Sequence, residues 1–157
     1  MEVYVFKTPG LSVGVRWKKG KAQEIILNPG GIPESDSNIP PEVERFFADL
    51  SAYLEGKDVK FSLPIDTDIL APFARKVSEE LAKTSRGEVI SYAELARRAG
   101  HPEAARAVGR VMSANPFPLV IPCHRVLGSD GSLTGFSAGI ELKRRLLELE
   151  GHTYESG

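Results

Sequence analysis

Apolar positions cluster in short extended runs along the first third of the chain and recur at three- and four-residue intervals along most of the rest. Residues 3–7, 12–17 and 22–27 are rich in β-branched and aromatic side chains and are divided by Thr8-Pro9-Gly10 and by Lys18-Lys19-Gly20-Lys21. Linkers that short predict an antiparallel meander. A Pro-, Gly- and Ser-rich loop follows over 28–41. Val43, Phe46, Phe47, Leu50 and Leu54 then fall at helical spacing, with Gly56 as the stop. Residues 59–63 are predicted to extend and to pair with the edge of the meander.

Helical spacing dominates the second half. Pro72 suits a first helical turn, and Phe73, Val77 and Leu81 follow four apart in a helix expected to end at Gly87. Ser91 and Glu94 form a Ser-x-x-Glu capping box for a helix running to Gly100. Another helix is expected over 102–114, broken by Asn115-Pro116, and two helices joined by a short Gly-containing turn read as a helix-turn-helix. A last helix is expected over 138–150, with Gly151 beyond its end. The fold class is therefore α/β of the α+β kind: an N-terminal antiparallel-sheet-plus-helix scaffold domain over 1–68 and a mostly helical domain over 69–157.

Composition narrows the function. The 157 residues hold 20 Lys plus Arg against 21 Asp plus Glu, three His and one Cys. One Cys excludes an internal disulfide and points to a reducing compartment. The scarcity of Cys, Met, Gln and Asn leans toward a heat-adapted source. No run approaches the ~18 apolar residues of a membrane span and the N-terminus lacks a basic leader, so a cytoplasmic protein without membrane contact is expected. Residues 1–70 carry 8 basic and 11 acidic side chains, whereas 91–125 carry five Arg and two Glu. That local excess of positive charge suits a polyanion, although a solvated basic face reads the same way.

Within the 102–114 helix, Ala105, Val108 and Met112 share a face suited to the core, and Arg106 and Arg110 share another. Ala104, Ala107 and Gly109 around them are too short to hold a partner away. Asn, Gln and Lys, which commonly read base edges alongside Arg, are missing from this helix. The pattern suggests close, sequence-tolerant contact with DNA; tight helix packing would use the same small residues.

Residues 115–126 read Asn-Pro-Phe-Pro-Leu-Val-Ile-Pro-Cys-His-Arg-Val. Three prolines predict an extended, rigid segment that leaves little freedom in where Cys123 is placed. A free Cys is commonly just a small buried hydrophobe. Here His124 and Arg125 follow at once, and a neighbouring base or cation raises the reactive thiolate fraction. On an extended strand His124 would point away from Cys123, so it reaches the thiol only if the chain turns there or a water bridges them. The carboxylate needed to orient the imidazole could be Glu150, Glu148, Glu141 or Asp130.

The Ile-Pro-Cys-His-Arg-Val string, preceded by Asn115-Pro116 and followed by Gly135-Phe136-Ser137, strongly resembles the O6-alkylguanine-DNA alkyltransferase family, also called methylated-DNA–protein-cysteine methyltransferases. The similarity covers about residues 70–152. It implies a ribonuclease H-like first lobe and a winged helix-turn-helix second lobe that enters the minor groove. By resemblance Cys123 is the alkyl acceptor, His124 its base through a water, and Glu150 the carboxylate behind the His. Asn115 holds the active-site turn, and Tyr92 donates a proton toward the purine. Arg106 fills the stack left by an extruded nucleotide. Arg110, Ala105, Ala107, Gly109, Ser113 and Arg125 are expected along the DNA, and Met112, Val126, Gly135, Phe136 and Ser137 around the base. Many members carry Tyr where this chain has Phe136, which keeps the ring and loses a hydroxyl.

The activity so implied is single-turnover transfer of an alkyl group from O6-alkylguanine, and from O4-alkylthymine, in double-stranded DNA to the protein's own cysteine. A monomer acting without a cofactor is expected, and no metal site: His101, His124, His152 and one Cys do not form a spaced ligand set. Three other readings compete. A non-enzymatic relative that only binds alkylated bases would have lost the acceptor Cys. A Cys-His hydrolase usually draws its pair from separated segments. A sequence-specific regulator would not have an alanine-rich recognition helix.

Overall fold

The computed structural model describes residues 2–152. The chain divides into two compact units, Met1–Ile69 with Pro116–Val120, and Leu70–Asn115 with Ile121–Gly157. The expected boundary was a single cut after residue 68. The five-residue stretch Pro116–Val120 instead belongs with the first unit, where Ile25 N–H donates to the Pro116 carbonyl at 2.8 Å.

The first unit is a meander of β1 (Glu2–Phe6), β2 (Val13–Lys18) and β3 (Lys21–Leu27), antiparallel throughout. Its inward face, with Val13, Val15, Trp17 and Ile25, and the face of α1 (Pro41–Leu54) that carries Val43, Phe46, Phe47 and Leu50 are buried; Val5, opposite Gly14, is buried on the other face of the sheet. Aromatic rings add to the packing: Phe6 of the sheet stacks on Phe47 at 5.0 Å, and Phe61 from the segment after α1 meets both Phe46 and Tyr53. Each such pair contributes roughly 0.5–1.5 kcal/mol beyond burial. Residues 59–63 form no strand. The pairing expected of them falls later, in a parallel bridge between Ala22 and Ile65, with Ala22 N–H donating to Pro64 and Asp66 N–H to Ala22. The other sheet edge is covered by the 28–41 loop, where Val5 and Ser35 exchange hydrogen bonds.

The second unit contains α2 (Pro72–Leu81), α3 (Tyr92–Arg98), α4 (Ala105–Ser113) and α5 (Ile140–Leu149), with a parallel pair of two-residue strands, β4 (Ile90–Ser91) and β5 (Val126–Leu127). Helix α2 stops six residues short of Gly87, because Thr84 turns its hydroxyl back onto the Leu81 carbonyl and ends the ladder. Ser91 caps α3 by accepting from Glu94 N–H at 3.0 Å. The return half of the capping box is absent: Arg97 and Arg98 take the Glu94 carboxylate and hold it down to about 2 in pKa. Between α3 and α4, His101 N–H donates to Ala96 and Gly100 N–H to Arg97, with Gly100 at φ +87. That is a Schellman closure, which needs a left-handed residue and sets the sharp turn of the helix-turn-helix. Helix α4 begins three residues later than expected, after a turn at 101–104.

Candidate active site

The segment carrying Cys123 is not the extended run that its prolines suggested. Proline fixes φ but leaves ψ free. Pro122, at φ −79 and ψ 66, makes an inverse γ-turn in which Cys123 N–H donates to the Ile121 carbonyl at 2.7 Å. Cys123–Arg125 then form one turn of 3-10 helix leading into β5. The turn that would let His124 work beside Cys123 is therefore built. Asn115 Nδ2 donates to the same Ile121 carbonyl at 3.0 Å and also hydrogen-bonds the Cys123 side chain. One amide thus ties the end of the α4 segment to the γ-turn and to the thiol.

Behind the turn lies a buried polar chain. His124 Nε2 is 2.6 Å from Glu150 Oε2, and Arg125 Nε donates to Glu150 Oε1 at 2.8 Å. The Arg125 Nη1 donates to the carbonyl and the hydroxyl of Thr84. Among the four carboxylates considered, Glu150 is the one that meets His124. It occupies the C-cap of α5, fixed there by a second Schellman closure: His152 N–H donates to Leu147, Gly151 N–H to Glu148, and Gly151 has φ +85. An ionised carboxylate only accepts, so Nε2 carries the hydrogen and Nδ1 keeps its lone pair. Burial pushes His124 below the usual imidazole range, against the pull of Glu150, so it rests neutral and able to take a proton.

Burial also pushes the Cys123 thiol up. Asn115, the Lys143 ammonium and the backbone N–H groups of the 3-10 turn act in the opposite direction. Lys143 is 1% exposed, and its pKa is lowered to about 8 by burial, with Cys123 opposing that shift. Its ammonium donates to the Thr134 carbonyl at 2.8 Å and lies 5.9 Å from the centre of the Tyr92 ring. Tyr92 donates its hydroxyl to the same carbonyl at 3.1 Å, and a Cβ on Gly135 would stand 3.3 Å from that hydroxyl. Lys143 therefore joins the phenol to the loop of Thr134 and Gly135, and its charge favours the thiolate of Cys123. Lys143 is not among the site residues expected from the sequence. The available signal is that Lys143 and Glu150 occupy, with Leu146 and Leu147, the i, i+3, i+4 and i+7 positions of α5's apolar face.

The sequence matches the family model described as 6-O-methylguanine DNA methyltransferase, DNA binding domain, over residues 72–152. It is 37% identical to the methylated-DNA–protein-cysteine methyltransferase of Methanothermobacter thermautotrophicus, over 94% of this chain and 84% of that one.

The chain belongs to the methylated-DNA–protein-cysteine methyltransferase family.

Solved structures agree. Mycobacterium tuberculosis OGT in complex with DNA has a TM-score of 0.80 at 30% identity, covering 95% of this chain and 92% of that one. The O6-methylguanine-DNA methyltransferase of Pyrococcus kodakaraensis has a TM-score of 0.73 at 30% identity, covering 96% and 98%.

Within this methyltransferase's second unit, the remaining expected residues fall into two groups. On α4, Val108 and Met112 are buried and Ala105 and Ala107 are half-buried; Arg106 and Arg110 are exposed, and their guanidinium groups make no ion pair among the described residues. Ser113 is exposed, with its hydroxyl on the Gly109 carbonyl. Of the residues expected around the base, Val126 is sealed into β5, Phe136 is half-buried, and Gly135 and Ser137 are exposed. Arg125 departs from expectation. Its side chain is 11% exposed and its guanidinium is taken up by Glu150 and Thr84, so it is not presented to a DNA backbone. The cause is Glu150, whose buried charge needs a cation as well as the imidazole.

Proposed function

We propose that this protein repairs DNA by moving the alkyl group of O6-alkylguanine, and of O4-alkylthymine, onto Cys123 in a single irreversible turnover. The observation that carries the reading is a buried thiol held by Asn115 beside a neutral His124–Glu150 pair, on the same unit as a helix-turn-helix with two exposed arginines.

The chemistry follows from those groups. His124 Nδ1 takes the thiol proton, directly or through one water, and the imidazolium so formed is stabilised by Glu150. Lys143 and the turn's N–H groups favour the thiolate against its burial. The thiolate attacks the alkyl carbon from behind the C–O6 bond: the S–C bond forms, the C–O bond breaks, and its electron pair stays on guanine. Tyr92 gives guanine a proton and recovers one from the site, so the proton lost by sulfur is the one gained by the base. Attack from that direction is closed while the base is stacked. The nucleotide must therefore be extruded, at a cost of about a few kcal/mol, with Arg106 in the gap. A thioether does not hydrolyse, and no second cysteine exists to resolve it. The cytoplasm suits a reaction that needs both DNA and a reduced thiol.

The test is peptide mass spectrometry after mixing with O6-methylguanine duplex. One methyl should appear on the peptide holding Cys123, and Cys123→Ala should bind the duplex while transferring nothing. An unmodified Cys123 after complete repair would overturn the proposal.

A further inference from the structure

Arg125 has a backbone position next to the reactive pair and a side chain that points away from solvent. Its guanidinium spans two elements: Nε donates to Glu150 at the end of α5, and Nη1 donates to the Thr84 carbonyl at 2.8 Å and to its hydroxyl at 3.1 Å. The loop between α2 and β4 holds the same end of α5 in two further places. Arg86 donates to the Leu149 carbonyl, and the Gly87 Cα lies close enough that a Cβ would sit 3.4 Å from the Glu150 carbonyl. Thr84, Arg125 and Glu150 thus form a fixed chain ending on the imidazole.

We propose that Arg125 is a positioning residue of the transfer reaction, acting through Glu150 to keep His124 a neutral, correctly oriented base. This rests on the alkyl-transfer reading above. Charge balance in a buried site requires it. Glu150 is 3% exposed and His124 2%. With only an imidazole for a partner, a buried carboxylate would draw a proton onto the ring and settle as an ion pair, and the base would be spent before the thiol is engaged. Arg125 supplies the compensating charge permanently, because guanidinium does not titrate in this range. The ring then needs to give Glu150 only its Nε2 hydrogen. The fork also fixes Oε1, which leaves Oε2 in the plane that His124 requires. The charged groups facing His124 are Glu150 and Lys143 from α5 and Arg125 from its own turn; Cys123 is the titratable neighbour, and Glu88 in the α2–β4 loop lies within the field of Arg125. Arg125 and Lys143 both act to keep the ring uncharged.

The experiment is the pH profile of methyl transfer from free O6-methylguanine base, which removes DNA contacts from the measurement, for wild type, Arg125→Met and Arg125→Lys. The wild type is measured first; if it transfers no methyl to Cys123, the alkyl-transfer reading fails and not this one. Given a reactive wild type, Arg125→Met should move the acid limb of the profile up by about one pH unit. It should also lower the plateau by roughly tenfold or more through misplacement of the base. Arg125→Lys keeps the charge without the fork, so its limb should stay in place while the plateau falls. Should Arg125→Met fail to fold, as its circular dichroism would show, the Lys variant decides alone: a wild-type plateau there overturns the proposal. An unmoved limb in a folded Met variant overturns it equally. A phosphate-binding Arg125 would instead show as a duplex-affinity salt slope reduced by about one in the Lys-to-Met comparison, with free-base transfer unchanged.

Discussion

His124 Nε2 and Glu150 Oε2 stand 2.6 Å apart with both side chains buried, although 26 residues separate them in the chain. The contact gives the imidazole one tautomer and one orientation, and burial keeps it uncharged below the ordinary imidazole pKa near 6.5. The consequence for stability has a definite sign. Between the lowered folded value and about 6.5 the unfolded chain binds the proton that the folded protein refuses, so stability is full above that window and is lost as pH falls through it. We expect the melting temperature to decline on acidification from pH 7 to 5. His124→Gln should flatten that decline, since Gln has no proton to gain. A thermal melt series across pH checks this; an equal slope in both proteins would place the titration elsewhere.

Lys143 is a charged side chain on an apolar helix face, and its place there is costly. Burial lowers its pKa from 10.5 to about 8. Lys143→Met should therefore raise the melting temperature at pH 7, where the wild type buries a charge. The gap should narrow between about pH 8 and 10.5, as the folded lysine gives up its proton before the unfolded chain does. The same variant should react more slowly with the methylated base, by about tenfold, because the Cys123 thiolate has lost its cation. Melting curves and transfer rates on one preparation check both. A variant that is more stable and equally reactive would make Lys143 a loop fastener alone.

Arg106 is exposed on α4 beside half-buried alanines. If it fills the space left by an extruded nucleotide, its removal matters only where there is a stack. Arg106→Ala should slow repair of O6-methylguanine in duplex by roughly tenfold, a loss on the order of 1.4 kcal/mol, and leave reaction with the free base unchanged. Parallel single-turnover assays on the two substrates check this. Equal losses would make Arg106 a structural residue of the second unit.

Much of this arrangement is legible before any coordinates. Three β-rich runs with short linkers become the meander, and the α1 spacing of Val43, Phe46, Phe47 and Leu50 becomes its buried face. Ser91, Gly100 and Gly151 mark helix ends that lie within two residues of where they are expected. Local chemistry governs these features, so local sequence displays them. The errors share a cause. The strand expected over 59–63 is absent, α2 ends before Gly87, and the extended run expected over 115–126 turns at Pro122. In each, a hydrogen bond to a distant or turning backbone overrode the local preference: Ala22 with Pro64, Thr84 with Leu81, Cys123 with Ile121.

By itself the sequence determined which groups are available: one thiol, a His and an Arg directly after it, a phenol at the start of α3 and a short-side-chained helix carrying two arginines. Only the tertiary structure decided how they are used. Glu150 was one carboxylate among four until the end of α5 brought it to His124. Lys143 carries no expectation from the sequence, and only folding buries it where its charge acts on the thiol. Arg125, expected along the DNA, is held instead by Thr84 and Glu150. The physical reason is that a buried charge is determined by the partners folding puts within reach, and those partners lie 9 to 41 residues away in the chain.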